Sequence, residues 1–302
     1  MNRKPAVEES IQSRERAKLQ SVSIDMVGMR RLNVRPTLSA YVVDLWDRRH
    51  FILTDARLRA FRTAKSYRLW RFWLLAQPLL DAAMYGFIFG FLLRTSRGID
   101  NFLGYLVLGV TFFGLLTGWV NGGTSLLQTS KNLMQAFAFP RAAIVLSQSL
   151  RYMIDNIPSL LVGVLFALAA QWQEPVAWTI VWVIPLTALM WIFGTGLMFI
   201  VARITGFIPD AKVLINLAVR AWFFSSGVFF SLDRFAHTPT LYNIFQFNPG
   251  YLFLDAVRDS VIYASSPTLS TWIYLLSWSL GTFAVGFIFF WRAEARYVNV
   301  RH

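Results

Sequence analysis

Six apolar runs, each close to the length of a bilayer crossing, decide what this chain can fold into. They cover about residues 72–93, 102–122, 143–170, 176–201, 213–231 and 271–291. A helix needs about 20 mostly apolar residues to cross the hydrocarbon core. Inside that core its backbone N–H and C=O groups must bond within the segment, because no water is there to take them. The sequence therefore predicts an all-α integral membrane protein with six transmembrane helices. Composition agrees: 15% of the 302 residues are charged and 56% are hydrophobic, against about 25% charged in soluble domains. The chain has no cysteine, which removes disulfides, thiolate metal sites and cysteine nucleophiles. His50, His237 and His302 are too scattered to make a metal site alone.

The charge is lopsided. Residues 1–71 hold 16 Lys/Arg against 7 Asp/Glu, which is +9 of the total +13. Nucleic-acid binders carry such bases on a folded soluble surface. Here they precede a membrane domain, so lipids and not nucleic acid are the expected partner. Residues 1–50 read as a polar basic tail and 51–71 as a cytoplasmic interface helix capped by Thr54 or Asp55. Leu53, Ala56, Ala60, Ala64 and Tyr67 would share its narrow apolar face, with Arg57, Arg59, Arg62, Lys65, Arg68 and Arg71 around the remainder. Such a helix suits an anionic membrane surface; a solvated helix that only sets topology is the alternative. Lys and Arg accumulate on the cytoplasmic side. With the N-terminus inside, 23 bases fall inside and 4 outside, so both termini are expected to be cytoplasmic. The membrane domain spans 72–291, with short exterior re-entrant helices at about 239–263, and 292–302 form a cytoplasmic tail.

Asp81, Arg151, Asp155 and Arg220 fall inside these runs. Charges at the centre of a lone helix cost about 2.5–3.5 kcal/mol each, so they normally face protein or a watery path. Arg151 and Asp155 can pair at i, i+4; Asp81 and Arg220 need partners on other helices, each other included. These groups serve either a polar path or gate, or ion pairs that fix the bundle. Gly114, Gly118 and Gly122, with Gly86 and Gly90 in the first run, have the spacing that lets helix backbones approach in lipid. Most aromatics are packing residues; Tyr85, Phe113, Trp119 and Trp222 are the candidates to line a channel. No phosphate-binding loop, H-E-x-x-H or G-x-S-x-G occurs. Asp255, Arg258 and Asp259 make either an acid pair or a local salt bridge on an exterior helix. Gly194-Thr195-Gly196 has no third glycine and no strand–turn–helix context, and is given no role.

The order of features does point somewhere. A basic pre-membrane helix leads into a span beginning Trp73…Gln77-Pro78. A glycine-rich second span is followed by residues 125–141, ending Phe139-Pro140-Arg141. Asn248-Pro249 precedes a helix bearing Arg258. Over about residues 50–302 this resembles the permease subunit of ABC-2-type exporters. More narrowly it resembles those of O-antigen, teichoic-acid and capsule polysaccharide systems, and the long basic tail resembles the actinobacterial galactan-exporting branch. The resemblance implies a homodimer in the inner membrane, joined by two copies of an ATPase subunit that binds the ATP and magnesium, so this chain needs no cofactor. It implies a coupling helix at about 126–138, with Leu127, Leu133, Met134, Phe137, Phe139, Pro140 and Arg141 engaging the ATPase. A helix lying only on the bilayer is the alternative. It further implies a polyprenyl-diphosphate-linked glycan as substrate, its anchor attracted by Arg57, Arg59, Arg62, Lys65 and Arg68, since clustered cations suit a diphosphate. An exporter of small lipophilic compounds and a membrane glycosyltransferase or acyltransferase are the competing readings.

Overall fold

Long apolar runs become long helices. The computed structural model describes residues 37–60, 70–92, 101–136, 139–231 and 245–299, all within the unit Arg35–His302. In order these are α1 (Leu38–Asp47), α2 (Arg49–Arg59), α3 (Trp70–Tyr85, continued by a π-helical stretch Gly86–Leu92), α4 (Phe102–Gly123), α5 (Leu126–Thr129) and α6 (Lys131–Ala136). Then come α7 (Ala142–Ala169), a 3₁₀ turn Trp178–Trp182 leading into α8 (Val183–Phe207), α9 (Ala211–Ser225), α10 (Pro249–Val261), α11 (Leu269–Trp291) and a closing 3₁₀ turn Glu294–Asn299. No strand occurs among the described residues.

Among the described residues four helices are long and apolar enough to cross a membrane: α4, α7, Trp178–Phe207 and α11. The first of the six expected spans is 16 α-helical residues extended by seven π-helical ones. The fifth stops after 15 residues, short of a full crossing, because the chain turns at Gly227, whose φ of 62° suits a residue without a Cβ. Caps set other boundaries. The Asn101 side chain accepts from Gly104 N–H at the start of α4, and Thr268 does the same for α11 from Thr271 N–H.

α4 and α8 form the centre. Trp119 of α4 is wholly buried, its indole N–H donating to Ser149 O of α7 at 3.3 Å. A Cβ at Gly194 would fall on that indole. Gly196 and Gly286 bring the backbones of α8 and α11 into contact; a Cβ on either would collide with the other helix's backbone. The Gly194-Thr195-Gly196 tripeptide is thus a packing joint between three helices, and Thr195 adds a 2.5 Å hydroxyl contact with Ser149. The α4 glycines do not form one stripe. Gly118 lies under the Tyr152 phenol, Gly122 meets Met198, and Gly114 faces open space.

The N-terminal expectations need correction. Residues 38–47 are helical and not tail, because Tyr41 and Leu45 are buried in the core. The next helix begins at Arg49, and Asp55 sits inside it, accepting from the Ser147 hydroxyl of α7 and pairing with Arg59 at 2.7 Å. Asp55 therefore docks the helix and does not cap it. Ala56 and Ala60 face inward as expected, whereas Leu53 is exposed. Ala64 and Tyr67 lie outside the described residues.

Candidate functional site: the junction at Glu294

α7 begins directly after Phe139-Pro140-Arg141, where the chain must turn from the short α5–α6 segment into a long helix. The first N–H groups of a helix have no partner within it. Here a carboxylate from the other end of the chain supplies one. Glu294, 3% exposed, accepts from the Arg141 backbone N–H and from its guanidinium, both at 3.0 Å. It also accepts from the Tyr41 hydroxyl at 2.7 Å, and that hydroxyl in turn accepts from Ala142 N–H at 3.0 Å. An anion at a helix N-terminus is favoured by the helix dipole, and the Arg141 guanidinium balances its charge. Burial, reinforced by the neighbouring Glu294 carboxylate, pushes the Tyr41 phenol well above its ordinary range, so it stays a donor. Phe139 packs beside Phe51 of α2, ring centroids 5.7 Å apart. One junction thus ties α1, α2, the start of α7 and the turn after α11.

The α5–α6 segment leans on this junction. Its expected coupling helix is two short pieces and not one helix. Leu127 is buried, its side chain seated where a Cβ on Gly206 at the end of α8 would meet it. Met134 is buried and Leu133 half-buried. Leu127 and Met134 are therefore committed to the chain's own core, leaving Thr129 and Asn132 exposed and Leu133 half-exposed beside them. Pro140 is buried and Arg141 is held by Glu294; Phe137 lies outside the described residues. Of the basic cluster, Arg57 is exposed and Arg59 is bound to Asp55, while Arg62, Lys65 and Arg68 also lie outside them.

At the other end of α7 a second polar junction holds α10. Asn248 caps α10 by accepting from Gly250 N–H at 2.9 Å, accepts from the Trp222 indole N–H at 2.8 Å, and donates to Ser225 O and to the Ser226 hydroxyl, both at 3.0 Å. Arg258 is fully buried and donates to the carbonyls of Tyr105, Gly227 and Val228 while its guanidinium lies over the Tyr105 ring at 3.4 Å. The expected local salt bridge of Arg258 gives way to this: its guanidinium fork reaches carbonyls freed where α9 ends. Neither role was readable from the Asn-Pro and Arg pattern, because both depend on where α9 breaks. Beside Arg258, burial and then the nearby Asp255 push the Asp259 carboxyl up to about 6.

The four channel candidates separate. Tyr85, Phe113 and Trp222 come together with Phe223 and Phe229 in one aromatic cluster between α3, α4 and α9: Tyr85–Phe223 at 5.8 Å, Tyr85–Phe229 at 5.1 Å and Phe113–Trp222 at 5.0 Å. Trp119 does not belong with them; it is interior packing, as Gly194 and Tyr152 require, and Phe113 is also buried. Arg151 and Asp155 pair at 3.4 Å along α7. Asp81 and Arg220 form no ion pair among the described residues.

The described residues thus form a multi-pass helical bundle with buried polar junctions at both ends of α7. Residues 51–262 match the ABC-2 type transporter family, and the chain belongs to it. Two relatives are permease proteins RfbA of O-antigen export systems from Klebsiella pneumoniae. One is 25% identical over 170 residues, covering 56% of this chain and 64% of its own. The other is 23% identical over 162 residues, covering 53% and 61%. The chain thus matches somewhat less than two thirds of these relatives' length.

Proposed function

We propose that this chain is the permease subunit of an ATP-driven exporter that moves a lipid-linked polysaccharide across the inner membrane. Two copies would assemble with two ATPase subunits, with both termini cytoplasmic. The observation that carries this reading is the likeness to two O-antigen export permeases within an ABC-2 chain. The Glu294 junction supports it. An ATPase pressing on Thr129, Asn132 and Leu133 would move a segment whose buried Leu127 contacts the end of α8 and whose exit is clamped to α1 and α11. Force applied there would reach α8 through Leu127, and a two-state bundle could be biased by nucleotide in this way. The chain itself hydrolyses nothing in this scheme; ATP and magnesium belong to the partner.

Depletion of the chain in its native cell tests the reading. Lipid-linked glycan should accumulate in the inner leaflet, as read by mass spectrometry of extracted lipids. Accumulation of a small lipophilic compound with normal glycan export would replace the polysaccharide reading by the drug-export one. Purified chain alone should show no ATPase activity, and co-purification should recover an ATPase that the Asn132→Asp/Leu133→Asp double variant loses.

A further inference from the structure

Two charges remain that the bundle does not use, and they stand opposite one another. α3 and α9 start from the same end of the bundle, and their far halves meet where Tyr85 lies 5.8 Å from Phe223. Asp81 is four residues before Tyr85, and Arg220 is three before Phe223. On a helix both spacings keep a residue on the same face one turn back, so each charge sits beneath its aromatic and faces the other helix. Arg151 and Asp155, also within a span, pair with each other along α7. Asp81 is half-buried and Arg220 exposed, and they are not in contact here.

We infer that Asp81 and Arg220 of one chain form a reversible ion pair that latches α3 to α9, with the Tyr85–Phe223 contact as the pivot above it. Within hydrocarbon neither group can be left charged and alone without cost, and with Arg151 paired to Asp155 on α7 the ring contact between α3 and α9 offers Asp81 and Arg220 to one another. The part of α9 ahead of its Trp222 and Ser225 contacts with Asn248 can make the movement, because the helix buries none of its side chains completely, unlike α4 and α8. The inference rests on the helices' own geometry and stands whatever the protein exports.

The chain has no cysteine, so an introduced pair reports on itself alone. Asp81→Cys and Arg220→Cys would be combined in one full-length chain bearing a protease site in the 171–175 turn. In native membranes the shortest bismaleimide should keep the two fragments joined after cleavage on a denaturing gel. Fragments that separate, or linkage found only between co-expressed chains carrying one cysteine each, would overturn the latch. In parallel, Asp81→Arg and Arg220→Asp should each lower the yield of folded protein several-fold, and the charge-exchanged double variant should recover it. Linkage without recovery would show proximity without pairing and would sink the ion-pair assignment.

Discussion

Glu294 and Arg258 are both buried, one at each end of α7, and they are satisfied in opposite ways. Glu294 meets an opposite charge and two neutral donors, drawn from segments about 150 and 250 residues away in sequence. Arg258 meets carbonyl oxygens that a neighbouring helix can no longer bond. Removing Glu294 leaves a largely buried guanidinium uncompensated, whereas the atoms that Arg258 bonds directly are neutral carbonyls, its charge reaching the Asp259 carboxyl without a hydrogen bond. The glutamate junction should therefore be brittle and the arginine junction forgiving, although the arginine makes as many hydrogen bonds.

That contrast can be broken by measurement. Glu294→Ala should cost about 3–5 kcal/mol, the range for an orphaned partner of a buried pair, seen as a large drop in thermal unfolding temperature in detergent. Arg258→Met, which keeps the volume, should cost less, about 2 kcal/mol, because the loss of three charge-assisted hydrogen bonds is offset by removing the desolvation cost of a fully buried guanidinium. If Arg258→Met proved the more damaging of the two, the ranking of the junctions would be wrong. Asn248→Ala should cost about 1 kcal/mol, as the loss of an N-cap does, and should also loosen the Trp222 indole, readable as a red-shifted fluorescence.

The smallest effect concerns Asp259. Its carboxyl is raised in the folded chain from an ordinary value near 3.8 to about 6. A raised acid contributes stability that is fully present below the lower value and is lost as pH rises through the higher one. Asp259→Asn should flatten the pH dependence of unfolding between those values and leave it unchanged elsewhere. An identical pH profile in the variant would show that Asp259 is ionised normally.

Some of this architecture was legible early, and particular residues show why. The runs that became α4, α7, α8 and α11 were readable because hydrocarbon imposes a length and a composition that no tertiary contact needs to supply. Ala56 and Ala60 were placed on an inward face by spacing alone. The Arg151–Asp155 pair followed from i, i+4 geometry. By contrast Tyr41, Glu294 and Arg141 come together only when three distant segments fold onto one another, and no local period marks any of them. Asp55 looked like a cap because its neighbours looked like a helix start; the helix in fact begins at Arg49, and Ser147 gives the carboxylate a different task. Trp119, a channel candidate by sequence, is interior packing because Gly194 opposite it leaves room for its indole.

By itself, then, the sequence determined a multi-pass α-helical membrane protein with a basic N-terminal region and a recognisable order of motifs. These follow from residue type and period, which are local properties. Tertiary structure alone decided where the fifth run ends, which glycines are joints, and which buried charges hold which helices. A charge in low dielectric is placed by its partner, and the partner is chosen by the fold.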